Sequence, residues 1–383
     1  MGRRPHKLTI GTDCRRRMAK GESRGANCSS PFAFSALLNR AVDAAWDAHE
    51  WGQALAIGRQ ARLLPLWYIT LQRAGVLSTL PPAVHQSLQQ AYYAALAANT
   101  LALEETVHLS AQLMTNGIDV VALKGVALLA TVYPSLGARP LGDIDLWVRS
   151  EDAAQAESML RLAGYTDLPH QRVRGPQYFL AERAFMRHTP PRLQVDLHTA
   201  PFARPALHNP VLAAWLWSHT LTAPTTFGPL RVFDAAAQFV HLCLHATQHD
   251  EGRLALLRLH DLALVMDAPH IDWCAVSTIA QATHIAPALL RAVAATTVAW
   301  GAQPSPHPAW PPRTRWQDRF RCALLASDHS IIRWLVDGWA LHNPVAMVAL
   351  WCAVLWPAPA YRTWRAAIRV RERMPVGHYG GEP

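Results

Sequence analysis

Two aspartates separated by a single residue have the spacing of a metal site. Asp143 and Asp145 stand in the run Gly142-Asp-Ile-Asp-Leu-Trp-Val148, which predicts a strand over 143–148. Successive strand residues point to opposite faces, so both carboxylates share one face while Ile144 and Leu146 face the core. Neighbouring carboxylates repel each other, and a divalent cation that prefers oxygen ligands, such as Mg²⁺, relieves the repulsion. The motif therefore predicts a metal site.

A third carboxylate, Asp196, has the same kind of surroundings. It stands between Val195 and Leu197 in the run Val195-Asp-Leu-His198, which predicts a strand over 193–198. If this strand lies beside the first, the three acids converge on one point. Three convergent carboxylates suit two divalent ions about 3.5 to 4 Å apart, which activate an attacking oxygen and stabilise a departing one in phosphoryl transfer.

A possible phosphate site lies just upstream of these acids. Lys124 and Gly125 stand between a predicted strand, 117–123, and a predicted helix, 126–133. The free amides and the dipole at a helix start favour phosphate. Gly125 would let a phosphate approach closely, and Lys124 or Arg139 could neutralise its charge.

The order of these motifs resembles the nucleotidyltransferase superfamily that includes DNA polymerase beta and the minimal nucleotidyltransferases. More closely, it resembles a bacterial family of uncharacterised nucleotidyltransferases. The matching segments are Ala122 to Leu128, Tyr133 with Arg139 and Gly142 to Val148, and Val195 to His198. Supporting likeness lies in the helical segments Trp51 to Gly75 and His241 to Asp261, so that the resemblance covers roughly residues 50–370.

The resemblance implies transfer of a nucleoside monophosphate from a nucleoside triphosphate to an acceptor hydroxyl or phosphate, with release of pyrophosphate. The acceptor would be a small molecule, a peptide or a protein. Two Mg²⁺ ions, or Mn²⁺ in their place, are the implied cofactors. Asp143 and Asp145 would be catalytic metal ligands and Asp196 the third ligand or a general base. Lys124, Gly125 and Arg139 would contact the nucleotide phosphates.

One departure from the superfamily and one alternative function accompany this interpretation. The usual Gly-Ser turn is Gly125-Val126 here, and Lys124 would replace the missing hydroxyl contact. The alternative is a non-catalytic nucleotide-binding or scaffold protein in a natural-product or surface-polymer pathway. Retention of three mutually repelling acids argues against it, because a protein that only binds has no need for such a cluster.

The elements that must position these residues predict a helix-rich α+β fold. A central nucleotidyltransferase-like mixed sheet would be flanked by N-terminal and C-terminal helical regions. The predicted division is a basic disordered tail over 1–30, an N-terminal helical region over 31–116, a nucleotidyltransferase core over 117–233, a C-terminal helical domain over 234–360 and a basic tail over 361–383. Helices are expected over 83–113, 151–163, 235–249, 254–266 and 340–356, and a further strand over 179–185.

The charge distribution argues against a nucleic-acid surface on the folded core. Of the net charge of +9, residues 1–30 contribute +6 and residues 361–383 contribute +3, which leaves the remainder near neutral. Met1 and Met18 are alternative starts. The six scattered cysteines and the lack of a secretory signal favour the cytoplasm. The alternative is a cytoplasmic protein that binds the surface of the inner membrane through its basic segment 361–373.

Histidines supply a second candidate metal site. His241, His245 and His249 are spaced four residues apart, which places them on one helical face near Asp261. Buried structural histidines are the commoner outcome and are favoured here, as they are at His198. An interhelical hydrogen bond and the orientation of an active-site group explain Asp261 equally well.

Overall fold

The computed structural model describes the chain from residue 46 onward, with gaps. The described residues are 46–168, 179–248, 255–268, 271–304, 307–327, 330–341, 343–359, 361–363 and 366. The predicted tail over 1–30 and most of the predicted tail over 361–383 lie outside them. Within the described part, none of the helices combines the length and the apolar character that crossing a bilayer requires.

In the described chain three helices precede the sheet. They are α1 (Ala48–Gln60), α2 (Leu64–Arg73) and α3 (Pro82–Thr115). A capping box starts α1, because Asp47 and Glu50 each accept a hydrogen bond from the amide of the other. A proline occupies the first turn of α2 and of α3, where its missing N–H leaves no intrahelical bond unmade. The long helix α3 packs along the sheet with one buried stripe.

Seven strands form one mixed sheet at the centre of the described residues. They are β1 (Val120–Leu123), β2 (Ile144–Val148), β3 (Thr166–Asp167), β4 (Glu182–Arg187), β5 (Leu193–His198), β6 (Thr220–Thr225) and β7 (Gly228–Phe233). Their spatial order is β3-β4-β5-β2-β1-β7-β6. β2 runs antiparallel to β1 and parallel to β5, so the two acid-bearing strands are neighbours.

Helices cover both faces of this sheet. The short connections contain α4 (Lys124–Thr131), α5 (Ala153–Leu162) and α6 (Pro210–Ser218). In β1, Val120 and Ala122 belong to the cluster that α3 and α5 complete, whereas Val121 and Leu123 belong to the cluster of the C-terminal helices. Burial on both faces explains why the central strands are nearly continuous apolar runs.

The C-terminal helices pack on the second face. They are α7 (Ala235–Gln248), α8 (Ala255–Met266), α9 (Trp273–Ala282), α10 (Ala286–Trp300), α11 (Trp316–Leu325), α12 (Ser330–Ala340) and α13 (Pro344–Leu355). α7, α8 and α10 contact one another and bury the hydrophobic cluster to which Val121 and Leu123 belong. The last helices are tied back by a buried ion pair, in which Arg204 Nε lies 2.9 Å from Asp337 Oδ2.

The predicted helix-rich α+β fold with a central mixed sheet is confirmed. All five predicted long helices are present, with ends shifted by a few residues, and β5 has the predicted bounds. The predicted strand over 179–185 begins later, at Glu182, and continues to Arg187. The strands β3, β6 and β7 were not predicted, because β3 has only two residues, β6 contains a proline and β7 begins with Gly-Pro.

Candidate active site

The three predicted acids come together at one end of the central strands. Asp145 on β2 pairs in register with Asp196 on β5, and Asp143 stands two residues before Asp145 on the same side. One carboxylate oxygen of each residue lies within 4.8 Å of those of the other two. The spacing of two residues explains why Asp143 lies near Asp145. The parallel pairing of β2 with β5 explains why Asp196 lies near both.

Burial makes this cluster electrostatically unfavourable without a cation. Asp145 is 2% and Asp196 5% exposed, and Asp143 is partly buried. Burial, and then the charges of Glu182, Asp145 and Asp143, raise the pKa of Asp196 well above its usual value. Burial and the charge of Asp145 also raise the pKa of Asp143, although Lys124 opposes the shift. Additional positive charge would relieve both groups.

Lys124 and His198 both form hydrogen bonds with Asp145, and Lys124 also supplies positive charge. The Lys124 ammonium donates to Asp145 Oδ1 over 2.6 Å, and His198 Nε2 donates to the same oxygen over 2.8 Å. Burial alone would raise the pKa of Asp145, but these two neighbours outweigh it and hold that pKa below the usual range. The pKa of Lys124 is raised in turn, because Asp145, Glu182 and Asp143 outweigh the effect of its burial. The ionised form of Asp145 is therefore favoured by its neighbours, in contrast to Asp143 and Asp196.

Two further side chains orient this arrangement. Gln194 Nε2 donates to Asp196 Oδ1 over 2.8 Å. Glu182 on β4 is the register partner of His198, and its Oε2 lies 3.6 Å from His198 Nδ1. Among the described residues, that buried Nδ1 has no hydrogen-bond partner. Sequence reasoning missed Glu182, because a single glutamate at the start of a strand carries no distinguishing signal.

The turn at Lys124 and Gly125 has a tightly determined geometry. Lys124 begins α4 with a φ of 50°, in the left-handed region that a non-glycine residue rarely adopts. A Cβ on Gly125 would collide with Leu141 and with the guanidinium of Arg139. The side chains packed against this position thus favour glycine, and a phosphate contact here stays a prediction.

Arg139 is held by a carboxylate from the C-terminal helices. Its Nε and Nη2 donate to the two oxygens of Asp261 over 2.8 and 2.9 Å, and the Tyr133 hydroxyl donates to Asp261 Oδ1 over 2.7 Å. The side chain of Asn99 on α3 donates to the carbonyl of Arg139 over 2.6 Å and accepts from the amide of Leu141 over 3.1 Å. This network joins α3, the loop before β2 and α8. The predicted contact of Arg139 with a nucleotide phosphate stays a prediction.

The histidine face is only partly described. His241 is fully buried, and its Nε2 donates to the carbonyl of Pro201 over 3.0 Å. Burial, reinforced by the charge of Lys124, lowers the pKa of His241 to about 3. His245 stacks on His241 with ring centroids 6.2 Å apart, while His249 lies outside the described residues. His241 thus has the contacts of a structural histidine.

The acid cluster has the donor set of a divalent-cation site. Carboxylate oxygens are the ligands that Mg²⁺ and Mn²⁺ prefer. The raised pKa values of Asp143 and Asp196 reflect a shortage of positive charge that a divalent cation would correct. Among the described residues, this trio is the group of three or more potential ligands close enough to share an ion. Asp143, Asp145 and Asp196 therefore fit a metal.

Comparisons with known proteins relate the chain to one family and to one solved structure. A structural match at a TM-score of 0.34 and 12% identity is the crystal structure of an antigenic nucleotidyltransferase-like protein from Paracoccidioides brasiliensis; it covers 56% of this chain and 96% of that one. No curated protein matches the sequence. The model of a family described as uncharacterised nucleotidyltransferase matches residues 47–300, which contain every residue of the candidate site. The chain belongs to this uncharacterised nucleotidyltransferase family.

Proposed function

We propose that this protein is a metal-dependent nucleotidyltransferase of the DNA polymerase beta-like superfamily. It would transfer a nucleoside monophosphate from a nucleoside triphosphate to an acceptor hydroxyl or phosphate and release pyrophosphate. Mg²⁺ is the proposed ion, and Mn²⁺ would substitute for it. The observation that carries the proposal is the convergence of Asp143, Asp145 and Asp196, whose carboxylate oxygens lie within 4.8 Å of one another.

Each acid has a distinct part in this proposal. Asp145 is already ionised, since Lys124 and His198 hold its pKa low, and so serves as the permanent anionic ligand. Asp143 is the most accessible of the three and lies where substrate would approach. Asp196, which Gln194 orients, completes the set. When bound, the metal would lower the pKa of the acceptor hydroxyl and neutralise charge on the transferring phosphoryl group.

The neighbouring groups keep this set in place. His198 fixes the carboxylate plane of Asp145 through a bond to Oδ1, and its own ring is fully buried. The ammonium of Lys124 contacts Asp145, while 19% of the lysine side chain stays exposed. We infer that Lys124 stabilises the metal-free site and contacts a nucleotide phosphate when substrate binds. The amides at the start of α4, with no side-chain cap, add donors on the same side.

A second candidate function has one observation in its favour. The ammonium of Lys124 lies 2.6 Å from Asp145 and so places a cation of the protein itself within the acid cluster. A protein that binds nucleotide without converting it could use this cation in place of a metal ion. In that case the chain would be a non-catalytic scaffold in a biosynthetic assembly. The two functions differ in whether pyrophosphate appears.

The test is a pyrophosphate-release and label-transfer assay with Mg²⁺, each of the four nucleoside triphosphates labelled at the α-phosphate, and a cell extract as the source of acceptor. The wild type is expected to transfer label, while Asp143→Asn and Asp145→Asn abolish transfer. Asp267→Asn, at an exposed acid after α8, is the matched control and should retain activity. Full transfer by Asp145→Asn would remove the proposal, and nucleotide binding without pyrophosphate release by the wild type would favour the scaffold.

A further inference from the structure

Arg62 occupies a backbone position that normally belongs to glycine. It follows α1 with a φ of 59°. The amide of Arg62 donates to the carbonyl of Arg59, and the amide of Leu63 donates to that of Gly58. This pair of bonds forms a Schellman motif, in which the left-handed residue is usually glycine because a side chain is disfavoured by about 1 kcal/mol or more. An arginine at this strained position points to a use for its side chain.

The Arg62 side chain reaches the loop that precedes the acid cluster. Its Nη2 donates to the carbonyl of Leu141 over 2.8 Å. A Cβ at Gly142 would lie 3.5 Å from Nη1, so the guanidinium covers the residue directly before Asp143. Arg62 thus lies beside the residue that precedes Asp143, the most exposed member of the cluster.

The positive charge of Arg62 is poorly compensated. Within the described residues, no carboxylate lies at ion-pair distance from its guanidinium. Burial, and then repulsion by Arg139, lower its pKa despite the attraction of Asp143 and Asp261. Asp261 already accepts two bonds from Arg139, and Asp143 is a proposed metal ligand. A cation bound at Asp143 would leave Arg62 with still less negative charge nearby.

A cavity gives a ligand access to this guanidinium. It measures about 320 Å³ and is lined by Arg59 and Arg62, by alanines of α3 such as Ala95, and by Pro140 and Leu141. Asn99 is the other polar residue of the lining, and none of the lining side chains is acidic. An anion entering here meets two arginines.

We propose that Arg62 binds a phosphate group beside Asp143, as a site separate from the turn at Lys124 and Gly125. The assignment of that ligand class rests on the proposed nucleotidyl transfer. Guanidinium groups hold phosphate through two parallel hydrogen bonds, and Arg62 uses one nitrogen for Leu141. The phosphate belongs to the pyrophosphate part of the donor or to the acceptor, and both sources share this chemistry.

The competing explanation is structural: Arg62 would serve only to hold the loop through Leu141. Arg62→Gly separates the two. It removes the guanidinium but places the favoured residue at the left-handed position, so the backbone of the motif is kept. Arg62→Lys keeps the positive charge but lacks the paired N–H donors of the guanidinium. Arg73→Ala, at the exposed end of α2, is the matched control.

The measurement is calorimetric titration of pyrophosphate into the full-length variants, with Mg²⁺ at low ionic strength. Arg62→Gly is expected to bind pyrophosphate at least about tenfold more weakly than the wild type, and Arg62→Lys to fall between them. Arg73→Ala should bind within about twofold of the wild type, and Mg²⁺ alone should bind Arg62→Gly as it binds the wild type. A parallel titration with nucleoside triphosphates identifies the source: weaker binding assigns the phosphate to the donor, and unchanged binding assigns it to the acceptor.

Two results would overturn the site at Arg62. One is equal pyrophosphate affinity in Arg62→Gly and the wild type, and the other is no detectable binding of pyrophosphate by the wild type. If Arg62→Gly loses affinity but the wild type transfers no label, the anion site stands and the proposed transfer fails. If label is transferred and Arg62→Gly binds normally, the transfer stands and this inference fails.

Discussion

Asp145 and Asp196 are direct register partners in the parallel pairing of β2 with β5. Leu123 faces Asp145 from β1, and Ala184 faces Asp196 from β4, so apolar neighbours flank the acid pair on both sides. A slip of one residue in either strand would turn its acid to the opposite face of the sheet. The metal site thus depends on strand register.

Removal of Lys124 is expected to expose the repulsion within the acid cluster. Lys124→Met leaves the buried Asp145 carboxylate without its ammonium partner. We expect the metal-free protein to lose about 3 kcal/mol or more of unfolding free energy, and saturating Mg²⁺ to restore part of the loss. Denaturant unfolding with and without Mg²⁺ measures both values. Arg73→Met is the control, and an equal loss in both conditions would contradict the role given to Lys124.

Gly125→Ala is expected to destabilise the loop before β2. The added methyl would meet Leu141 and Arg139, and relieving that contact should cost about 1 to 3 kcal/mol. Gly52→Ala is the matched control, because it lies inside α1 with open space around its Cα and should be stabilised by about 0.5 to 1 kcal/mol. Thermal unfolding of the two variants should shift in opposite directions. A Gly125→Ala protein as stable as the wild type would mean that the loop can move away.

The pair between Arg139 and Asp261 should be strongly coupled. Both side chains are largely buried, and together they tie the loop before β2 to α8. Arg139→Ala and Asp261→Ala should each destabilise by about 3 to 5 kcal/mol, and the double variant by little more than either one. The exposed pair Arg161 and Glu157 provides the comparison, with an expected coupling of about 0.3 to 0.5 kcal/mol. Additive losses at Arg139 and Asp261 would show that the pair is not a unit.

The burial of neutral His241 predicts that the unfolding free energy of the protein falls in acid. Its pKa in the folded protein is lowered from 6.5 to about 3, chiefly by burial. The unfolded chain therefore binds one more proton between these values, so the unfolding free energy should fall by about 1.4 kcal/mol for each pH unit below 6. His241→Gln keeps a donor for the carbonyl of Pro201 and removes this titration.

Unfolding curves at pH 4.5, 5.5 and 6.5 test this effect. The His241→Gln protein should lose stability less steeply with falling pH than the wild type, whereas His49→Gln, at an exposed histidine, should follow the wild type. Parallel pH dependences of His241→Gln and the wild type would place the acid sensitivity elsewhere.

Much of the fold could be predicted from local pattern. Three sequence signals predict the helix α3: Pro81-Pro82 at its start, Asn116-Gly117 at its end and the helical spacing of apolar residues between them. β6 gives no such signal, because it contains Pro224, lies at the sheet edge and is mostly exposed. Pairing partners are a property of the whole chain, and no local pattern shows that β2 lies beside β5.

The candidate site also combines residues that local sequence predicts with residues that only tertiary packing reveals. The spacing of two residues identified Asp143 with Asp145, and the apolar neighbours Val195 and Leu197 identified Asp196. The residues that sequence reasoning missed act across long separations: Glu182 reaches His198 from the next strand, and Arg62 contacts Leu141 from 79 positions away. Even Arg139, which was identified, has Asp261 as its partner, 122 positions away. Such contacts follow from tertiary packing alone.

The most direct test of the central claim is a titration of the wild type with Mn²⁺, followed by the paramagnetic resonance of the free ion. The account predicts saturable binding that Asp196→Asn weakens by about tenfold or more, because a buried anionic ligand becomes a neutral amide that still accepts from Gln194. Asp267→Asn should bind Mn²⁺ as the wild type does. Unchanged Mn²⁺ affinity in Asp196→Asn would contradict the claim that the three carboxylates share a metal.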